Sequence, residues 1–107
     1  MSFNDESQLQ GNLLTLVEKS EKTKVPSRFK VLLHNDDFTS VEFVVEIIRG
    51  IFHVSHELAE QLTMEVHHKG VAVVGIYTHE VAETKAAQVM KEAERQEYPL
   101  LCTVAPI

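Results

Sequence analysis

The stretch RFKVLLHNDDFTSVEFVVEIIRGIF, residues 28–52, changes its periodicity half-way along. At its start Phe29, Val31 and Leu33 fall on one side and Lys30, Leu32 and His34 on the other. That is the two-residue repeat of a strand whose second face is only partly polar. At its end Val44, Ile47, Ile48 and Ile51 share one face of a helix, with Gly50 near the helix end. Between the two stand Asn35, Asp36 and Asp37, where a plain turn needs one such residue. Thr39 is expected to cap the helix, because Glu42 follows at capping-box spacing.

The chain beyond this stretch continues the alternation of element types. HVS at 53–55 reads as a short turn, with Ser55 capping a second helix. In SHELAEQLTMEVHH, Leu58, Leu62 and Val66 recur every fourth residue as a core stripe that Ala59 widens. Gly70 stops this helix. GVAVVGIYT, rich in β-branched residues, is expected to be a well-covered strand. Thr78 is a cap for a third helix, which opens with Glu80 and Glu83 and closes with Lys91 and Arg95, the charge order a helix dipole favours. Ala82, Ala86, Val89 and Ala93 lie close to one face and permit close packing on a sheet. Pro99 is expected to break the helix, and LLCTVA to form the last strand. The order β-α-α-β-α-β makes an α+β fold, a two-layer sandwich of three strands with the helices on one face. These patterns leave the order of strand pairing open.

Residues 1–27 differ in composition. They are rich in Ser, Glu, Lys, Asn and Gln and close on Pro26, so a flexible N-terminal extension is expected ahead of a core domain at 28–107. Only LLTLV at 13–17 is continuously apolar there, suited to docking on the body or on a partner. The whole chain of 107 residues suits one domain, and 44% hydrophobic residues suffice for one core. Its formal charge is −6, from 16 acidic and 10 basic residues. No basic stripe is present to release counterions, so nucleic acid is not an expected partner. MSFNDESQ is not a signal peptide and no apolar run approaches membrane-spanning length, so a cytoplasmic protein without a membrane partner is expected, and a monomer. The single cysteine, Cys102, excludes an intramolecular disulfide and sits in an apolar run where a buried thiol is expected.

Six histidines are scattered along the chain. None belongs to HExxH, and His67 and His68 point ~100° apart on a helix, so no metal or other cofactor is expected. No GxSxG, Walker loop or Cys/His pairing of known spacing is present, and no enzyme is expected. Recognition of a cation fits the residues better. Asn35 offers a carbonyl oxygen, ionised Asp36 offers acceptors only, and neutral His67 offers one more. Thr63 and Val66 lie near His67 on the same helix and would wall an apolar pocket. The plainer reading stays open: an Asx-turn at Asn35 and Asp36, and a histidine that ends a helix.

Four separated stretches, HNDDFTSVEFV, EVHHKGVAVVG, THEVAETKA and PLLCT, resemble the ClpS family of adaptors for the ATP-dependent Clp protease. The resemblance spans residues 26–107. It implies an antiparallel three-stranded sheet packed on three helices. It implies binding of N-degron proteins and peptides through their first residue. The free α-amino group would be held at Asn35, Asp36 and His67. A large first side chain would enter a pocket formed by Asp37, Thr39, Val41, Val44, Thr63, Val66 and Leu100. The substrate would pass to a ClpA- or ClpC-type AAA+ unfoldase and on to ClpP. Glu80, Glu83, Thr84 and Lys85 match the surface that docks on the unfoldase N-domain. An alternative within the same resemblance is a modulator that docks on the unfoldase and redirects its substrate choice without strong N-degron binding.

Two positions depart from the family pattern. Ser40-Val41 stands where Pro-Met is usual, and Thr63 stands where many members have Met. Val and Thr are shorter and stiffer than Met. An altered preference among first residues is the expectation, with β-branched residues less strongly excluded and the fit to some usual residues looser.

Overall fold

The structure, a computed structural model, describes residues 27–107. The expectations for the N-terminal extension and for LLTLV lie outside the described residues. The elements run β1 (Arg28–His34), α1 (Val41–Phe52), α2 (His56–Lys69), β2 (Val71–Thr78), α3 (His79–Arg95) and β3 (Leu101–Pro106). β1 is the central strand, antiparallel to β2 on one side and to β3 on the other. Its alternation sends Val31 and Leu33 inward, where both are fully buried. The α+β sandwich and the antiparallel pairing are as the sequence and the resemblance imply. α3 lies across all three strands, and its Ala82, Ala86, Val89 and Ala93 are buried against them. Small side chains let the helix approach the sheet closely. α1 packs on α2 and α3, with Ile48 fully buried between them.

Several local expectations are corrected by the packing. Ser40, not Thr39, caps α1: its Oγ accepts the Phe43 N–H at 3.2 Å. The Thr39 hydroxyl is committed elsewhere, donating to Asp36 Oδ2 at 3.0 Å. Glu42 is then the second helical residue, one short of the capping-box position. Replacing Ser40 with alanine is expected to cost about 1 kcal/mol. Urea unfolding should show this as a lower midpoint with an unchanged slope.

In α2 the buried line is Ala59, Thr63 and Val66, while Leu58 is 41% exposed and Leu62 only half-buried. Ala59, one position further round the helix, takes the fully buried place instead of Leu58. Ser55 does cap α2, accepting the Leu58 N–H at 3.1 Å, and Gly70 ends it in the left-handed region at φ 90°. Thr78 occupies the cap position of α3 without making a side-chain cap bond. α3 stops at Arg95, and Glu97 with φ 60° turns the chain before Pro99 is reached.

β2 is not well covered. Ala72 and Val74 are buried, but Val71, Val73 and Ile76 are exposed, because the helices take only the other face of the sheet. A Cβ at Gly75 would lie 2.5 Å from the outer edge of the Tyr77 ring, so a larger residue there would have to displace that side chain. Cys102 is buried as expected, and burial pushes its thiol up to about 12. Among the described residues no helix is long and apolar enough to cross a membrane.

Candidate functional site

β1 ends at His34, and the loop that follows is tied to the end of α2. The Asn35 backbone N–H donates to the Gly70 carbonyl at 2.9 Å, and the Gly70 N–H donates to Val66 O at 2.8 Å. This clamp brings the NDD loop beside His67, two elements away in sequence. Within the loop, Asp36 Oδ2 accepts the Phe38 N–H at 2.9 Å and the Thr39 hydroxyl at 3.0 Å. The Asx-turn is therefore present. It does not exhaust the carboxylate: among the described residues Oδ1 accepts no hydrogen bond. The turn thus holds Asp36 in one orientation. Asn35 Nδ2 lies 3.5 Å from Asp37 Oδ1, which turns the amide donors toward Asp37 and leaves the amide carbonyl oxygen for another donor. His67 stands exposed in the last turn of α2, edge-on to His68 with ring centroids 5.4 Å apart.

One cavity of about 140 Å³ collects these groups. Asn35, Asp36, Asp37 and His67 stand at its polar side; Val44, Val66, Thr63 and Leu100 form its apolar side; Thr39 and Val41 complete the rim. Val44, Thr63, Val66 and Leu100 are each buried, whereas Val41 is 51% exposed. The volume compares with the ~150 Å³ that admits a benzene ring in an engineered apolar cavity. The lining contains two carboxylates and neither Lys nor Arg, so its fixed charge is negative.

All the positions expected to bind an amine or a side chain thus meet in one place. The cavity also takes in His34, which sequence reading placed only on a strand face. Its Nε2 lies 2.8 Å from Thr103 Oγ1. Adjacency to Asn35 at the strand's end is the signal that would have found it.

Thr63 is buried in the cavity wall. Its hydroxyl donates to Ala59 O at 2.8 Å inside α2. The group's polarity is satisfied within the helix, so the wall asks for no polar partner there.

The second set of positions lies apart from the cavity. Glu80, Glu83 and Thr84 are exposed at the start of α3, and His79 Nε2 is 3.2 Å from Glu83 Oε2. Lys85 turns inward instead. Its Nζ donates to Ile51 O at 2.7 Å and lies 5.6 Å from the centre of the Tyr77 ring. It therefore ties α3 to a last-turn carbonyl of α1. Among the described residues no group of three or more His, Cys, Asp or Glu converges as a metal site.

Comparison with known proteins gives consistent matches. The family model ClpS, described as ATP-dependent Clp protease adaptor protein ClpS, matches residues 24–103. The ATP-dependent Clp protease adapter protein ClpS of Roseobacter denitrificans is 48% identical over 102 residues, 95% of this chain and 90% of that protein. Its counterpart in Maricaulis maris is 54% identical over 82 residues, 77% of this chain and 75% of that protein. A solved structure of Agrobacterium tumefaciens ClpS2 bound to L-phenylalaninamide is similar with a TM-score of 0.75 at 34% identity, covering 77% of this chain and 99% of that one.

Proposed function

The chain belongs to the ClpS family of ATP-dependent Clp protease adaptors, and on that footing we propose how it selects its cargo. It is a non-enzymatic adaptor that binds the free α-amino group and bulky first side chain of N-degron proteins. It works in the cytoplasm as a monomer and delivers them to a ClpA- or ClpC-type AAA+ unfoldase for degradation by ClpP. One observation carries this reading: a single cavity joins an acceptor-rich, negatively charged mouth to an apolar wall.

An α-ammonium has three donors and no acceptor. Asn35 Oδ1, Asp36 Oδ1 and the unprotonated nitrogen of neutral His67 supply three acceptors. The wall of Val44, Thr63, Val66 and Leu100 receives the side chain. The A. tumefaciens relative binds L-phenylalaninamide, which carries both features, a free amine and a benzyl group. Each hydrogen bond to a charged group contributes roughly 1.5–3 kcal/mol. A buried Leu- or Phe-sized side chain contributes roughly 1.5–3 kcal/mol. A micromolar complex needs about 8 kcal/mol beyond the costs of association, so both halves of the ligand are required.

Val41 and Thr63 set the choice of side chain. With Val rather than Met at the rim, the entrance is wider for a branched β-carbon. With its hydroxyl bonded to Ala59, Thr63 remains a tolerable apolar neighbour. Ile- and Val-initiated peptides are therefore less strongly excluded here than in a relative with two Met.

Fluorescence anisotropy with peptides differing only at residue one tests both parts. Leu- and Phe-initiated peptides should bind, and their N-acetylated forms should bind at least ~10-fold more weakly, the loss of one charged hydrogen bond. The double variant V41M/T63M should discriminate more sharply against Ile and Val than the parent does. Equal binding of acetylated and free peptides would remove the amine from the reading. Identical selectivity in the variant would remove the role of Val41 and Thr63.

The docking surface for the unfoldase N-domain is the exposed group Glu80, Glu83 and Thr84. Lys85 supports it from behind by holding the start of α3 to the end of α1.

A further inference from the structure

Leu100 is a wall with two sides. It immediately precedes β3, it is buried, and it lines both the cavity and an open depression shared with Met90, Tyr98 and Leu101. β3 is an edge strand, so the N–H groups on its outer side have no strand to bond. The Cys102 N–H donates instead to the thioether of Met90 on α3, with Sδ 3.3 Å away. This bond ties β3 to the helix two residues after Leu100. Thr103 follows at once, and its Oγ1 lies 2.8 Å from Nε2 of His34, another residue of the cavity lining. The start of β3 thus steadies two cavity residues, and its own anchor on the helix is a sulfur. A thioether is a weak acceptor. Met90 is 38% exposed and within reach of a small oxidant. Cys102 is not an equal target: it is buried and its thiol is pushed up to about 12, which leaves almost no thiolate.

We propose that Met90 is an oxidative modification site, and that its sulfoxide frees the start of β3 and weakens peptide capture. The weakened capture rests on the peptide-binding reading; the release of β3 does not. The oxidant is a hydroperoxide. The sulfur attacks its terminal oxygen, an S–O bond forms and the O–O bond breaks. The other oxygen takes the terminal proton and leaves as water or an alcohol. Sulfur gives up two electrons and the peroxide takes them. Either lone pair of the sulfur leads to the same result. Oxygen added on the side of Cys102 comes between sulfur and N–H. An N–H···O bond itself takes about 2.7–3.2 Å, so the sulfur has to withdraw from its place 3.3 Å from the nitrogen. Oxygen added on the other side leaves a positively polarised sulfur facing the N–H, which it no longer accepts. Both products also put a polar group where a flexible apolar one stood, beside Leu100 and Leu101. A thiol-dependent sulfoxide reductase reverses the step.

The full chain carrying Met64→Leu tests it, because Met64 is 44% exposed and would oxidise as well. Met64→Leu/Met90→Leu is the control and keeps only Met1 of the three methionines. After treatment with hydrogen peroxide, peptide mass mapping of the first protein should place one oxygen on Met90. Its Cys102 amide should exchange at least ~5-fold faster, the loss of one ordinary hydrogen bond. A Phe-initiated peptide should bind roughly 3- to 10-fold more weakly, read by fluorescence anisotropy. The control should keep its Cys102 exchange rate and its affinity through the same treatment. Met90 left unmodified while Met1 is fully oxidised would overturn the proposal, and so would an oxygen on Cys102 in its place. A Met90 sulfoxide with unchanged exchange at Cys102 would overturn the release of β3. Faster exchange with unchanged affinity would overturn the link to capture. A protein that binds no peptide before peroxide would remove the peptide-binding reading, and the exchange at Cys102 would still decide the release.

Discussion

Replacing Asp36 with alanine is expected to abolish useful capture of Phe- and Leu-initiated peptides. The lost interaction is a hydrogen bond from an ammonium to a carboxylate held in place by its own turn. Such a bond is worth roughly 1.5–3 kcal/mol, about 10- to 100-fold in affinity. Alanine also removes the anchor for the Phe38 N–H and the Thr39 hydroxyl, so the loop loses its set orientation and the loss falls toward the upper end. Asp36→Asn separates the two effects. Its carbonyl oxygen can keep the turn, but the charge is gone. If charge recognition dominates, Asp36→Asn should bind nearly as poorly as alanine while its melting temperature stays close to the parent's. Titration of both variants with a Phe-initiated peptide, beside thermal melts, gives the comparison. A fully active alanine variant would leave only docking on the unfoldase as the basis of any adaptor activity.

Leu33→Ala should have the largest effect on stability. Leu33 is fully buried on the central strand, opposite Ala72 on one side and Cys102 on the other. Removing its side chain leaves a cavity between sheet and helices, at a cost of roughly 2–5 kcal/mol. A domain of this size holds about 5–15 kcal/mol in total. For a 60–100-residue domain each kcal/mol moves the melting temperature by roughly 4–8 °C, so a fall of about 10 °C or more is expected. Binding should weaken as well, since Leu33 lies two residues before Asn35 and supports the strand end that carries the loop. A melting temperature within a degree or two of the parent's would show that the strand is not the centre of the core.

Much of this architecture is legible from local period. β1 has the limits its alternation implies, and the ends of α2 follow Ser55 and Gly70. Ala82, Ala86, Val89 and Ala93 point inward as their spacing requires. Where two local patterns compete, local reading fails. Thr39 and Ser40 both suit an N-cap, and the choice falls to Ser40 because Asp36 takes the Thr39 hydroxyl. Leu58 and Ala59 both suit the start of a buried line, and it is Ala59 that is buried.

The candidate site divides in the same way. Asn35, Asp36 and His67 can be read as acceptors from residue type, since side-chain chemistry belongs to the residue itself. That they meet in one cavity depends on the Asn35 to Gly70 hydrogen bond, a contact across 35 residues. The same is true of Lys85, which looks like a surface cation in its helix and is bound inward to Ile51 O. Thr63 is polar by type, and only the structure shows its hydroxyl satisfied by Ala59 O within its own helix. The sequence by itself determined the elements, their order and the acceptor chemistry of the NDD loop, because backbone period and functional groups are short-range properties. Only the tertiary structure decided which strand is central, which sheet face is open and which side chains share a cavity, because those depend on packing between segments far apart in the chain.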